Sequence, residues 1–415
     1  MVQDSASDHC SVAYPGKPII QYAIMIDAGS SGSRVHIYKF NHCKQYPELE
    51  NEVFKMISPG LSSYAPQDAA DSLHDLLQLA VESVPKDMHH CTPIAVKATA
   101  GLRLLGTDKS RDILNAVRKT IEEQYPFPVN SIEIMEGTDE GVYAWITVNY
   151  LLGNLKPNGT SVATFDLGGA STQIVMEPEL DMMAGDHQYQ LSYANRDYNL
   201  YQHSYLGFGL MEARRRAKEQ IVKSWKDTVP NSVHHPCLPK GHKEMIKWTD
   251  FTVTKNVELV GTGAGHAACR AVIEKIFEKE KTCPISPCGF NGIYQPSITD
   301  NFSDRDLYLF SFFYDLTEPL GMLSDFTVRE FGELAYKVCN GDPELFRYIP
   351  NALNVLQKSP DYCLDLTYTH ALLRIGYEVP PERLVRTAKK IRDAETGWCL
   401  GASITMIDQN QLCKN

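Results

Sequence analysis

The chain has 415 residues, of which 43% are hydrophobic and 22% are charged, so it is a folded protein long enough for two substantial cores. Its formal net charge of −11 is the opposite of the basic excess of nucleic-acid-binding surfaces, so no nucleic-acid partner is expected. An anionic substrate would then depend on local cations and backbone N–H donors, which makes a bound metal an expected cofactor.

Eleven cysteines, most of them in the C-terminal half, exceed what a reducing cytosol usually holds without metal sites, and they indicate disulfides. The odd count leaves at least one thiol unpaired or paired outside this chain. Glycosylation triplets at Asn158 and Asn301 agree with a secretory lumen. No stretch has the length of a membrane-spanning helix or a signal segment. We therefore expect a lumenal protein that meets a membrane only through an N-terminal anchor outside these residues.

The first predicted elements are a tail or linker over residues 1–19 and two strands over residues 21–40. The strands flank a turn at residues 27–34 with the sequence DAGSSGSR, here called loop A. Its Asp27 ends an apolar strand, where a carboxylate can hold a hydrated divalent cation. The glycines that follow let successive backbone N–H groups approach phosphate oxygens without interference from Cβ atoms.

Further elements precede a second such turn. They are an amphipathic helix over residues 68–84, a strand over 93–98, a small-residue turn over 97–103, a helix over 108–124 and a strand over 131–135. A helix ending near Gly153 follows and carries Glu140 in its first turn. This helix is expected to connect two lobes. Loop B, at residues 166–173, then repeats the pattern of loop A, with Asp166 at a strand end followed by LGGASTQ.

The remainder of the chain is less regular. Residues 177–288 are rich in loops, and the run of three arginines at 214–216 is expected to form a solvated helix face. An aromatic segment occupies residues 306–315. Two helices are predicted after it, over residues 327–338 and 380–393.

The two loops together favour a duplicated domain. One loop alone is equally compatible with an ordinary hairpin, but the interval between Asp27 and Asp166 suits a repeated lobe. We therefore predict an α/β, two-lobed actin-like (ribonuclease H-like) fold with the active site in the interlobe cleft. Lobe I is predicted to span residues 20–137 plus 399–415, and lobe II residues 138–398.

The residues of the loops suit phosphate-anhydride hydrolysis. Such a reaction needs positioned donors around the phosphate, a cation and a base for the attacking water. Asp27 and Asp166 are candidates to hold Ca²⁺, Mg²⁺ or Mn²⁺ through waters. Glu140, at the start of a helix beside the cleft, is a candidate base, but the residues alone do not separate it from Glu136 and Asp139. Candidate backbone donors lie at Ser30, Ser31, Gly32, Ser33, Gly168, Gly169, Ala170 and Ser171. Spacing alone leaves Arg34 and Arg103 open between phosphate contacts and salt bridges.

Five segments together resemble the apyrase family of nucleoside tri- and diphosphatases, which includes ecto-nucleotidases and Golgi guanosine diphosphatases. They are residues 27–34, 97–103, 136–150, 166–173 and 398–402. Loop A looks most like the fungal Golgi branch, with Ser31 where that branch usually has Thr. The resemblance implies that Glu140 is the base, that Ser171 is its partner, and that Thr99 and Gln173 hold water and phosphate.

Further site residues complete the prediction. Arg34 and Ala100 are also assigned to phosphate binding, and the resemblance implies that Tyr314 stacks on the nucleobase. Because a row of aromatics is more often a core strand, Phe310 and Phe312 are expected to be buried while Tyr314 faces outward.

The function implied is divalent-metal-dependent hydrolysis of the terminal phosphate of nucleoside diphosphates, with GDP and UDP preferred. The expected protein is a monomer or weak dimer in the Golgi lumen, with a single-pass type II anchor in the full-length form. A broad tri- and diphosphatase is the alternative within the family. An actin-like-fold kinase, a chaperone ATPase or a nucleotide-binding protein without turnover fits the cysteines and the base, metal and clamp residues less well.

The cysteines allow a pairing prediction. Cys237–Cys269, Cys283–Cys288 and Cys339–Cys363 would close short local loops, and the first and last of these pairs are also implied by the family resemblance. Cys10 with Cys43 and Cys399 with Cys413 are predicted as neighbours across strand ends. Cys91 would then be the free thiol.

Overall fold

The structure is a computed structural model that describes residues 7–225, 229–250, 253–341, 343–410 and 413. Within these ranges, no helix combines the length and the apolar character needed to cross a membrane.

Lobe I is built on a five-stranded sheet whose first strand is buried along its whole length. The strands are β1 (Ile20–Ala28), β2 (Ser33–Asn41), β3 (Glu48–Ile57), β4 (Ile94–Ala98) and β5 (Val129–Ile134). Their order is β3-β2-β1-β4-β5. The three strands from β1 to β3 are antiparallel, whereas β4 and β5 run parallel to β1.

The remaining strands form the second lobe. They are β6 (Ala163–Leu167), β7 (Ser171–Met176), β8 (Gln188–Tyr193), β9 (Arg196–Leu206), β10 (Ser232–His235), β11 (Lys243–Asp250), β12 (Val253–Gly261), β13 (Leu307–Ser311), β14 (Asp325–Thr327), β15 (Leu384–Thr387), β16 (Lys390–Ile391) and β17 (Ala394–Glu395). The main sheet has the order β14-β15-β13-β6-β7-β9-β8. Its central strands β9-β7-β6-β13-β15 repeat the directions of the lobe I sheet, strand for strand. This repeat is the predicted two-lobed, actin-like α/β fold.

Helices cover the two sheets. They are α1 (Pro66–Ser72), α2 (His74–Ser83), α3 (Ala100–Arg103), α4 (Thr107–Gln124), α5 (Gly137–Leu152), α6 (Leu210–Lys223), α7 (His266–Ile273), α8 (Ile298–Asn301), α9 (Phe312–Thr317), α10 (Val328–Cys339), α11 (Ala352–Lys358), α12 (Tyr362–Ala371) and α13 (Cys399–Asn410). Helix α5 ends where predicted, at Gly153 in the left-handed conformation. It packs on β6, β7 and β9 of lobe II and on α13, which in turn packs on β1 of lobe I.

Two helix predictions need correction. Residues 68–84 form two helices, α1 and α2, that meet at Leu73, instead of one. The helix predicted over residues 380–393 is wrong, because this segment contains β15 and β16. In β15, Val385 and Thr387 are buried while Leu384 is exposed, the two-residue period of a strand. Pairing with β13, which is distant in sequence, outweighs the local helical pattern.

Five disulfides join cysteines of the described residues. They are Cys10–Cys43, Cys91–Cys413, Cys237–Cys269, Cys283–Cys288 and Cys339–Cys363. The predicted Cys399–Cys413 bridge is wrong, and the buried Cys399, not Cys91, is the free thiol. Cys399 begins α13, and Cys413 lies beyond its C-terminal end. A helix rises about 1.5 Å per residue, so this helix holds the two cysteines too far apart to bond.

Two surface expectations also change. Asn158 is exposed, but Asn301 is buried, and its side chain is hydrogen-bonded to the backbone of Ser297 and Leu180, so in this fold it is not available for glycosylation. The arginine run at 214–216 is only partly a solvated face. Arg215 pairs with Glu212 and Glu219 on the surface, whereas Arg214 binds the buried Asp365 at 2.6 Å.

Candidate active site

Loops A and B are matched hairpin turns, one in each lobe. In loop A, Asp27 lies opposite Arg34 on β1 and β2, and the backbone N–H of Gly29 donates to Gly32 at 3.0 Å. In loop B, Asp166 lies opposite Gln173 on β6 and β7, and Gly168 donates to Ser171, also at 3.0 Å. The two turns therefore share one register, with an aspartate at the same place in each.

The two loops approach each other closely at glycines. A Cβ built on Gly169 of loop B would lie 2.5 Å from the Ser30 hydroxyl of loop A. A Cβ on Gly101, at the start of α3, would lie 2.7 Å from the Ser30 Cα. Larger residues at these positions would displace loop A, so glycine permits the close approach.

A cleft of about 530 Å³ lies between the lobes at these loops. The predicted site residues that line it are Asp27, Ser30, Ser31, Arg34, Thr99, Ala100, Glu140, Asp166, Gly168, Gly169, Ala170, Ser171 and Tyr314. Three predicted residues do not line it. Ser33 is buried in β2, Gly32 faces Ile57 of β3, and Gln173 is buried behind Ser171.

Three buried carboxyl groups face the cleft. Burial raises the pKa of Glu140 to about 8, the charge of Arg103 opposes the rise, and the charges of the two aspartates add to it. Burial likewise raises the pKa of Asp166 to about 6, against a hydrogen bond from Ser311. Burial also raises the pKa of Asp27, and the charge of Arg34 offsets only part of this rise. Asp27 thus raises the pKa of Asp166, and both aspartates raise the pKa of Glu140, so the negative charge gathered here suits a cation.

One oxygen of each aspartate is available for such a cation. Among the described residues, Asp27 Oδ1 and Asp166 Oδ1 are buried atoms without a hydrogen-bond donor. Carboxylate oxygens of this kind suit the waters of Mg²⁺ or Ca²⁺. Within the described ranges, no three or more His, Cys, Asp or Glu side chains are grouped so that they could hold a metal ion directly.

The arginines that the sequence left open both form salt bridges. Arg34 Nη1 lies 3.0 Å from Asp27 Oδ2, across the β1–β2 hairpin. Arg103 binds Glu140 through a short hydrogen-bonded ion pair whose two side chains are only 15% and 10% exposed. Arg34 still lines the cleft, so its guanidinium is next to the place where a phosphate would lie.

A hydrogen-bond relay supports the wall of the cleft beside Glu140. The side-chain nitrogen of Gln173 donates to the Ser171 hydroxyl at 2.8 Å and to the Ser204 hydroxyl at 2.9 Å. Gln173 Oε1 is buried without a donor among the described residues. This arrangement fixes the position of the Ser171 hydroxyl at the edge of the cleft.

The aromatic segment turns sharply beside the cleft. Phe310 ends up buried in β13, as predicted, but Phe312 is only half-buried and lines the cleft together with Tyr314. The turn occurs at Ser311, which has a φ of 58° between β13 and α9. The same Ser311 hydrogen-bonds to Asp166. An aromatic pair is thus presented next to Asp166.

Several residues that line the cleft were not predicted from the sequence. They are His36, Phe54, Met56, Met211, Ser311, Lys389, Glu395 and Trp398. Of these, Trp398 belongs to a segment already singled out as a motif, and Ser311 ends a strand beside β6, so both carried a usable signal. The others come from strands and loops whose meeting depends on the whole fold.

The comparison with known families agrees with this geometry. The model of the GDA1/CD39 (nucleoside phosphatase) family matches residues 17–415. The chain belongs to this family.

Members of the GDA1/CD39 family resemble the chain along nearly its whole length. The guanosine-diphosphatase of Schizosaccharomyces pombe is 46% identical over 428 residues, which covers 97% of this chain and 77% of the relative. That of Saccharomyces cerevisiae is 44% identical and covers 100% of this chain and 84% of the relative. Human ectonucleoside triphosphate diphosphohydrolase 6 is 37% identical, over 93% of this chain and 77% of the relative.

A solved structure of nucleoside triphosphate hydrolases from Neospora caninum has a related fold. The TM-score is 0.64 at 16% sequence identity, and 95% of each chain is covered. At this identity the likeness concerns the fold alone. In this chain, that fold consists of two lobes built on duplicated sheets.

Proposed function

We propose that the protein hydrolyses the terminal phosphate of nucleoside diphosphates, with GDP and UDP preferred, in a reaction that needs Ca²⁺, Mg²⁺ or Mn²⁺. The observation that carries the proposal is the meeting of loops A and B around a cleft that also contains the buried Glu140. The preference for diphosphates is supported by the fungal relatives, whose names describe guanosine-diphosphatases.

The proposed chemistry is direct attack of water on the terminal phosphorus. Glu140 accepts the proton of this water through a carboxylate oxygen, while the Ser171 hydroxyl, Gln173 and Thr99 hold the water and the phosphate. Backbone N–H groups of loops A and B donate to the phosphate oxygens, on which negative charge is spread in the transition state. The guanidinium of Arg34 adds a positive charge at the same oxygens.

A divalent cation fits between the lobes at Asp27 and Asp166, whose free oxygens Oδ1 are acceptors for its waters. When bound, the cation neutralises the negative charge that develops on the phosphate oxygens. Glu140, whose deprotonated form the two neighbouring aspartates disfavour, would be deprotonated more readily beside such a positive charge.

The nucleobase is proposed to lie against Tyr314, with Phe312 as a second aromatic surface lining the same cleft. Stacking on an aromatic face accepts any base, so discrimination between GDP and ADP requires polar contacts beyond it.

The proposed location is the Golgi lumen. The disulfides support an oxidising compartment, and a lumenal diphosphatase would remove the nucleoside diphosphates that glycosyl-transfer reactions leave behind.

Phosphate release from GDP, UDP, ADP and ATP, with and without divalent cation, tests the proposal. Cation-dependent release that is faster from GDP and UDP than from ADP and ATP is expected. Full activity in excess chelator would contradict the metal requirement. Equal rates on ATP and GDP would instead favour a broad tri- and diphosphatase, as the name of the human relative describes.

A further inference from the structure

A second cavity lies next to the active-site cleft and is slightly larger, with a volume of about 620 Å³. Both lobes contribute to its walls. Lobe I and the start of α5 contribute Arg103 and Thr138, and lobe II contributes His203 and Ser204. Because none of these four side chains lines the cleft, the second cavity is a separate space.

Two side-chain links form the wall between the cavities. Arg103 lines the second cavity, and its ion-pair partner Glu140 lines the cleft. Ser204 lines the second cavity and is joined through Gln173 to Ser171 of the cleft. Both links therefore end on the groups that would hold the attacking water.

The two links differ in kind: Ser204 and Gln173 lie on the paired strands β9 and β7, whereas Arg103 and Glu140 are joined across the wall by their side chains alone. A Cβ on Gly137 would overlap Ser204 and lie 2.9 Å from Arg103 Nη1, so this glycine lets the two side chains meet. Arg103 Nε is buried and has no acceptor among the described residues. Rotation of the Arg103 side chain away from Glu140 would thus open the wall without breaking any backbone hydrogen bond.

The direction of the reaction determines on which side of the cleft each product lies. In an in-line displacement, the attacking water and the leaving oxygen lie on opposite sides of the phosphorus. If Glu140 activates the water, as the proposed function requires, then the released phosphate lies on the Glu140 side and the nucleoside monophosphate lies between it and the mouth of the cleft. The phosphate then lies beside Arg103, which forms the wall to the second cavity.

We propose that inorganic phosphate leaves through the second cavity, and that Arg103 is the gate that exchanges Glu140 for the departing phosphate. No covalent bond changes in this step, and the guanidinium keeps a charged partner throughout. The lining beyond the gate offers further hydrogen-bond donors at Thr138, Gln202 and His203. At the rim lie the exposed acids Glu136 and Asp186, whose like charge would prevent the anion from being retained there.

Blocking the rim tests the proposal without altering the active site. Asp186→Cys places a thiol at the exposed rim, where a bulky maleimide or a small methyl-thiol reagent can be attached to the same folded protein. Two rates are measured with GDP and cation. Acid quenching gives the rate of GDP cleavage, and a fluorescent phosphate-binding protein gives the rate at which free phosphate appears.

With the bulky label, free phosphate is expected to appear at least about 10-fold more slowly while first-turnover cleavage stays unchanged. Each enzyme molecule then holds one phosphate, which appears as a burst of cleavage in the quenched samples. Two controls should show cleavage and phosphate release at the rates of the unlabelled proteins. One is the methyl label on Asp186→Cys, and the other is the bulky label on Asp181→Cys, an exposed position outside the cavity. Wild-type protein is a second control, because its free thiol at Cys399 is buried.

Equal cleavage and release rates in the bulky-labelled enzyme would overturn the exit route, and so would a loss of first-turnover cleavage equal to the loss of release. Absence of GDP cleavage in the unlabelled protein would instead count against the proposed function itself, so the two failures are distinguishable.

Discussion

Glu140 is the residue on which the proposed hydrolysis depends most directly. Glu140→Gln keeps the size and the hydrogen bonding of the side chain but removes its ability to accept a proton. We expect kcat to fall by roughly 10²–10⁴, with nucleotide affinity largely retained. Asp139→Asn is the matched control, because this neighbouring acid does not line the cleft. A Glu140→Gln enzyme with more than about a tenth of wild-type kcat would contradict the role, since that loss is only about 1.4 kcal/mol.

Arg103 should set the pH at which Glu140 works. Burial raises the pKa of Glu140, and the Arg103 charge lowers it. A base is active when deprotonated, so activity should increase with pH as Glu140 loses its proton. Arg103→Met removes the opposing charge, and the acid limb of the kcat/KM profile should therefore move to higher pH by roughly 1–3 pH units.

The conservative variant Arg103→Lys keeps the positive charge, so the acid limb of its kcat/KM profile should stay near the wild-type pH. A merely structural role for Arg103 would lower activity at every pH without moving the limb. The two profiles, measured over the same pH range with saturating cation, distinguish these outcomes.

At the scale of elements, the contact between α5 and α13 depends on one glycine. A Cβ on Gly401 would overlap the carbonyl oxygen of Tyr143 and lie 3.1 Å from Ile146 Cβ, and the Gly401 N–H donates to Thr147 at 2.9 Å. Gly401→Ala gains about 1 kcal/mol of helix propensity. The clash with a backbone oxygen should outweigh that gain, with a net loss of roughly 1–3 kcal/mol in the free energy of unfolding.

Urea unfolding followed by circular dichroism measures this loss. Gly397→Ala is the control, because a methyl group there meets nothing within 4 Å. A Gly401→Ala protein as stable as the wild type would mean that the two helices separate without cost.

The Cys91–Cys413 disulfide fastens the segment after α13 to lobe I, with a sequence separation of 322 residues. Cys91→Ser should lower the free energy of unfolding by about 2–4 kcal/mol. The bridge Cys283–Cys288 has a separation of only 5, so Cys283→Ser should cost less. Non-reducing peptide mapping should find the 91–413 linkage and a single thiol, Cys399, that reacts only after unfolding. A 399–413 linkage would refute the pairing.

The elements that could be predicted are those whose signals are local. The helix carrying Glu140 has a start, a helical period and a left-handed Gly153 at its end, all within one stretch of sequence. The strand at residues 384–387 has no such signal, because it is stabilised by β13, whose residues precede it by more than 70 positions. Four of the five predicted cysteine pairs are present, and the fifth, Cys399–Cys413, was wrong for the same reason, since Cys91 and its partner Cys413 are 322 residues apart in sequence.

At the scale of the whole molecule, the duplication could be predicted because each lobe carries the same motif at the same place in its sheet. Asp27 and Asp166 end the central strands of two sheets with one topology. The rim of the cleft could not be predicted, since Phe54, Met211 and Lys389 come from three distant segments. Motifs repeated by duplication are readable in the sequence, whereas surfaces assembled between lobes are not.

The duplication leads to a quantitative expectation for the cation. If Asp27 of lobe I and Asp166 of lobe II hold the waters of one shared ion, each change to Asn should raise the cation concentration for half-maximal activity by roughly 10–100-fold. The double variant should then lose much less than the product of the two effects, because the second change acts on an ion already weakly held. The thermal stabilisation by cation, measured by calorimetry with a non-hydrolysable nucleotide, gives a readout independent of turnover. Multiplicative losses in both measurements would mean that the two aspartates act independently, and that the lobes do not share one ion.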